Sequence, residues 1–185
     1  QQANPYKVWL SYDLPHKAHT AFITNTVEAE IGDDVILKNI FNYADAFART
    51  PGILTGSPFG SLSLYNRSGL GNGPPGGEEF STERLSNELQ LQGKTGGLEY
   101  ILGVFYSDTT KQEYIPVIVG AELPTPLADI AYNYEVGNES KAVFGQLTYA
   151  VTDKLSVTAG GRYSWETVSL RQKAGSLFNL SGTTP

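Results

Sequence analysis

The sequence has no cysteine and no methionine, and only two histidines in 185 residues. Without cysteine there is no disulfide scaffold, no thiolate metal site and no thiol nucleophile. His16 and His19 alone fall short of the multi-histidine sets of most metal centres. Charge is also sparse: 17% of residues are Asp, Glu, Lys or Arg, and the 13 basic ones are scattered through a chain of net charge -6. That is too little for a coiled coil, and it lacks the basic stripe of a phosphate-backbone binder, so nucleic acid is not an expected partner. No apolar run approaches the ~20 residues of a membrane helix. Nor is there a charged-then-apolar leader. Neither Gln1 nor the closing Gly182-Thr183-Thr184-Pro185 has the character of a natural terminus, so we expect a piece of a longer protein.

What is present is alternation. Hydrophobic residues reach 40% and aromatics 11%, with 11 tyrosines, which is too apolar for a disordered chain. Helical periodicity is weak, whereas a period of two recurs six times. In 155–168, Leu155, Val157, Ala159, Gly161, Tyr163 and Trp165 share a face, against Ser156, Thr158, Gly160, Arg162, Ser164 and Glu166. Residues 140–151 place Val143, Leu147, Tyr149 and Val151 opposite Gln146 and Thr148, with Phe144 as an exception. Segment 98–110 groups Leu98, Tyr100, Leu102, Val104 and Tyr106, and 81–92 sets Leu85, Leu89 and Leu91 against Arg84, Ser86, Glu88, Gln90 and Gln92. Segments 20–31 and 35–47 complete the set, with Ile23, Val27 and Ile31 in the first and Val35, Leu37, Phe41 and Tyr43 in the second.

The connections alternate too. Short turns are expected at Gly32-Asp33-Asp34, within 93–97, and at Thr152-Asp153-Lys154, where Gly and Asp suit tight hairpins. Between the hairpins lie two long connections, 48–79 and 111–139, marked by clustered glycines and by Pro116, Pro124 and Pro126. Short turns at one end and long loops at the other describe an all-β, antiparallel up-and-down meander. Such strands need only ~9–11 residues to cross a bilayer, and closure pairs every backbone polar group without helices. Tyr43, Tyr100, Tyr106, Tyr149, Tyr163 and Trp165 then fall where interfacial aromatic girdles lie. The competing architecture is a secreted or periplasmic β-sandwich binding a glycan or a protein partner, whose strands alternate identically. Its Greek-key crossings would mix short and long connections, so the regular order here favours a section of a large transmembrane barrel.

Three hairpins also resemble a known family. Residues 139–163, through Gly145, Tyr149, Gly160 and Gly161, look like a barrel hairpin of TonB-dependent outer-membrane receptors; residues 80–91 followed by 98–105 look like a second, and 35–43 resembles part of a third. The resemblance implies a 22-stranded barrel with an N-terminal plug, in the outer membrane of a Gram-negative bacterium. It implies import of a scarce nutrient such as an iron-siderophore complex. Its partners would be outer-membrane lipid, the small-molecule nutrient, and TonB, which grips a motif ahead of the plug. No plug, TonB-contact motif or aromatic-ended terminal strand is found in these 185 residues, so the chain is expected to be a partial barrel domain that transports nothing alone.

Candidate sites are few. His16 and His19, near Asp13, follow Pro15 in an expected loop and read as solvated residues, so no metal is expected. Gly69-Leu70-Gly71-Asn72-Gly73 lacks the lysine and helix of a phosphate loop. Both histidines share one short loop and no acidic pair sits in a recognisable cleft, so neither enzymatic activity nor a cofactor is expected. Arg84, Glu88, Arg162 and Glu166 lie on the hydrophilic faces of their strands and are candidates for ligand contact in a lumen, with cross-strand ion pairing as the plainer alternative. The loops contribute Tyr65, Asn66 and Arg67, and Tyr114, Tyr132 and Tyr134, which have the aromatic faces and the cation to hold a ligand.

Overall fold

A computed structural model describes residues 16–50, 62–63, 77–119 and 128–172. Within them the strands are β1 (Lys17–Gly32), β2 (Val35–Thr50), the two-residue β3 (Leu62–Ser63), β4 (Glu78–Thr95), β5 (Leu98–Val119), β6 (Ala128–Thr152) and β7 (Leu155–Gln172), and no helix is described. They form one sheet in the order β1-β2-β4-β5-β6-β7, every neighbour antiparallel, with β3 beside the far end of β5. The six long strands are therefore a meander in sequence order.

Three tight turns occupy one end. Asp33-Asp34 joins β1 to β2, Gly96-Gly97 joins β4 to β5, and Asp153-Lys154 joins β6 to β7. Gly96 has φ +57°, a left-handed conformation that a Cβ would strain. The turns are tied sideways, Lys94 N–H donating to Asp34 O at 3.0 Å and Ala150 N–H to Gly97 O at 2.8 Å. Register slips by one residue after Glu30 in β1 and after Ala150 in β6, both beside these turns.

The strands outrun their sequence-based bounds, most of all in the third hairpin. The connection expected over 111–139 shrinks to residues 120–127, because β5 continues to Val119 and pairs residue by residue with β6 back to Ala128. Pro116 does not break the strand. It lies where β5 has no partner on the β4 side, between Tyr114, paired with Glu79, and Ile118, paired with Ser63 of β3. A proline costs little at such a local edge, because no ladder donor is needed there. The other long connection, expected over 48–79, starts after Thr50 and contains β3 before β4 begins.

The sheet is a single layer, and this excludes the sandwich. Among the described residues the buried hydrophobic set contains only Ala142 and Pro116, alongside the buried polar Ser86 and Ser107. Tyr163 and Trp165 are 62% and 51% exposed. A sandwich would bury that face against a second sheet. β1 and β7 are exposed throughout and do not pair with each other, so among the described residues both edges of the sheet are open.

Candidate functional site

Registers assign every side chain to one of two faces. Residues directly opposite across strands share a face, so one row links Val27, Asn39, Leu89, Val104, Val143 and Tyr163. The row nearer the turns links Ala29, Leu37, Leu91, Leu102, Gly145 and Gly161. We call this the outer face. Leu102 and Val104 are each 50% exposed on it. Toward the other end it reaches an aromatic row with Phe41, Tyr106 and Trp165, where Tyr163 and Trp165 meet edge-to-face at 4.6 Å. Toward the turns it ends near Tyr100 and Tyr149. From Leu98 to Tyr106 on a tilted strand is ~20 Å, close to the ~25 Å apolar band of an outer-membrane barrel.

At the same height the inner face is hydrophilic. Glu28 pairs with Lys38 at 2.7 Å. Gln92 donates to Gln90 Oε1 at 2.6 Å, and Gln90 in turn donates to the Glu88 carboxylate. Asn42 donates to Ser86 Oγ at 3.3 Å. Phe144, out of phase with the apolar face, belongs here for a reason: its ring covers Gly103 on the neighbouring strand, where an added Cβ would lie 2.2 Å from the ring. On the outer face Tyr100 covers Gly93 in the same way. An aromatic ring laid over a cross-strand glycine restores the packing that the missing side chain leaves out.

Beyond the aromatic row the outer face turns charged and the inner face becomes mixed. The outer face now carries Asp45, Arg49, Glu79, Glu135, Glu139 and Arg171, joined as Arg49–Glu79, Arg171–Glu135 at 3.3 Å and, at the boundary, Lys141–Glu139 at 2.8 Å. His19 lies 3.3 Å from Asp45 and stacks on Phe47. The inner face now carries Ile115, Val136, Val168 and Leu170 beside Arg84, Thr109, Lys111 and Glu113, with Tyr132 and Tyr134, whose rings stack at 6.3 Å. Tyr132 and Tyr134 are therefore strand residues on the inner wall, while Tyr114 sits on the outer face. At the rim of the inner face, outside the apolar band, burial and then the nearby charge of Glu113 raise the Glu78 carboxyl above its ordinary value.

The sequence-derived candidates divide. Arg84, Arg162 and Glu166 line one concavity of about 600 Å³ on the inner face, with Thr82, Phe105, Ser107 and Lys111 among its other residues. Arg162 lies over the Phe105 and Phe144 rings at 5.1 and 5.8 Å and donates from Nε to Ser164 Oγ at 3.1 Å. Glu88 is on the same face but belongs to the glutamine chain instead. Tyr65 and Arg67 lie outside the described residues. Lys111 escaped the sequence reading because it was assigned to a loop; the signal was there, since Ser107, Thr109 and Lys111 keep the strand phase. No cluster of three or more His, Asp or Glu suited to a metal occurs among the described residues.

A single antiparallel layer with an apolar outer band, aromatic borders and a hydrophilic inner wall is the wall of a transmembrane β-barrel. Comparison with family models makes this specific: residues 4–185 match the TonB dependent receptor-like, beta-barrel family, and the chain belongs to it. Comparison with curated proteins gives no match. The family is one of outer-membrane receptors and transporters, not an enzyme class, and its name carries its dependence on TonB.

Proposed function

We propose that this chain is the partial barrel domain of a receptor that imports a scarce nutrient, such as an iron-siderophore complex, across the outer membrane of a Gram-negative bacterium. In this reading the plug and the TonB-contact segment belong to the rest of the same receptor, the outer face meets outer-membrane lipid, and the inner face lines the path of the small-molecule nutrient. No cofactor and no catalysis are involved. The observation that carries the reading is the pair of unlike faces at one height, Leu102 and Val104 outside against Gln90 and Gln146 inside. A soluble single sheet exposing so large an apolar band would aggregate, whereas lipid covers it. Ligand contact is assigned to Arg84, Arg162 and Glu166 on the inner wall, with Glu88 on the same face and Tyr65 and Arg67 from the β2–β4 connection.

The test is uptake in cells depleted of iron, cobalamin or sugar in turn, with the receptor gene deleted. One nutrient should lose its uptake, and removal of TonB should reproduce that loss. Normal uptake of every nutrient in the deletion strain, with loss on TonB removal, would contradict the import role.

A further inference from the structure

Several cations of the sheet have a carboxylate partner, among them Lys38 with Glu28 and Lys94 with Glu99 on the inner face. On the outer face Arg49, Lys141 and Arg171 are each held by a carboxylate. In the inner concavity, Arg84 and Lys111 form no ion pair among the described residues. They are close together: Arg84 opposes Thr109 and Lys111 opposes Thr82, which makes them diagonal neighbours on one face. Diagonal neighbours lie ~7–8 Å apart, a spacing that two long side chains close around one acceptor group. Arg162, fixed by its two phenylalanine rings, lines the same concavity three register rows nearer the turns, and Glu166 is the carboxylate in its lining. Phe105, Val136 and Val168 supply apolar surface in the same concavity.

An unneutralised pair of cations beside apolar and aromatic wall is complementary to an anion with an apolar body. We propose that this concavity is a binding site for a small organic acid, its carboxylate between Arg84 and Lys111 and its apolar or aromatic body against Phe105, Val136 and Val168. The inference rests on the receptor reading above, and it deepens that reading by fixing the sign of the ligand's charge and adding Lys111 to the site.

The complete receptor in lipid nanodiscs is titrated with 4-(trifluoromethyl)benzoate and, separately, 4-(trifluoromethyl)benzylammonium, following the fluorine NMR line width after subtraction of empty nanodiscs. The benzoate should bind and the ammonium should not. The double variant Arg84→Gln/Lys111→Gln should weaken benzoate at least tenfold. Lys38→Gln, whose cation lies on the same wall outside the concavity, should change it less than twofold. Absence of benzoate binding, equal binding of both probes, or a double variant that binds as well as wild type would overturn the proposal; a carboxylate from elsewhere in the receptor filling the site would give the first of these. Nitroxide labels at Val143 and Gln146 separate the two failures. With the Val143 label in lipid and the Gln146 label in water, a negative titration removes only the anion site. With the Gln146 label in lipid, the receptor reading falls as well.

Discussion

The part of the sheet near the tight turns and the part beyond the Tyr106–Trp165 row are built from the same strands but obey different rules. Near the turns, Leu102, Val104, Val143 and Leu147 face outward while Gln90, Gln92 and Gln146 face inward. Beyond the row, Asp108, Glu139, Glu135 and Arg171 face outward, while Val136, Val168 and Leu170 share the inner face with Arg84, Thr109 and Lys111. The backbone does not change; the solvent outside it does. Where lipid surrounds the wall, every outward charge is expensive, so polarity is kept inside. Where water surrounds it, outward carboxylates and cations pair at the surface, and neither face needs to be apolar.

The largest effect that would break this contrast is a charge on the outer face at mid-height. Val143→Arg should destabilise the receptor in lipid by about 2–4 kcal/mol, the cost of an arginine near the bilayer midplane. Gln146→Arg, three residues on and facing inward, should fall within about 0.5 kcal/mol of wild type. Urea titrations of both variants refolded into vesicles make the comparison, and equal costs would remove the distinction between the faces.

A smaller effect separates two glycines of the same sheet. Gly103 lies under the Phe144 ring, whereas nothing approaches within 4 Å of where a Cβ on Gly161 would be. Gly103→Ala should cost about 1–3 kcal/mol by forcing the ring off its site. Gly161→Ala should be neutral or slightly stabilising, since it only narrows the unfolded ensemble. Similar losses at both positions would mean that Phe144 does not cover its neighbour.

These two regions were also unequally legible. Near the turns the sequence alternates against a uniform outer environment, and all three hairpins with their tight turns could be read from Ile23 to Trp165. Beyond the aromatic row the alternation fades, because in β5 both faces turn polar over 108–113. Lys111, Glu113 and Ile115 then look like loop, and Pro116 reads as a breaker when it is only a tolerated residue at a local edge. Sites suffered accordingly. Arg84, Arg162 and Glu166 were visible as polar residues in strand phase, but nothing in the spacing says that 84 and 162 line one concavity. That follows only from the registers of β4 to β7.

The smallest expected effect concerns the rim. Burial and Glu113 raise the Glu78 carboxyl in the folded wall, so its charged form is disfavoured there relative to the unfolded chain. Glu78→Gln should therefore raise the melting temperature slightly at neutral pH. The gain should fade as pH drops through the folded-state value, where the wild-type carboxyl is already protonated. A gain that grows on acidification would reverse the assignment.

The account stands or falls on which face meets lipid, and how far up the wall. Nitroxide labels placed singly from Lys141 to Val151 along β6, and from Glu135 to Ser140 above it, report collision with dissolved oxygen, which concentrates in lipid, and with a water-soluble nickel chelate. Labels at Val143, Leu147 and Tyr149 should favour oxygen and those at Phe144, Gln146 and Thr148 should not, in strict alternation. From Glu139 toward Glu135 the oxygen preference should disappear on both faces. Alternation of the opposite phase, or an oxygen preference persisting through Gly137 and Glu135, would contradict the assignment of faces and the position of the membrane boundary.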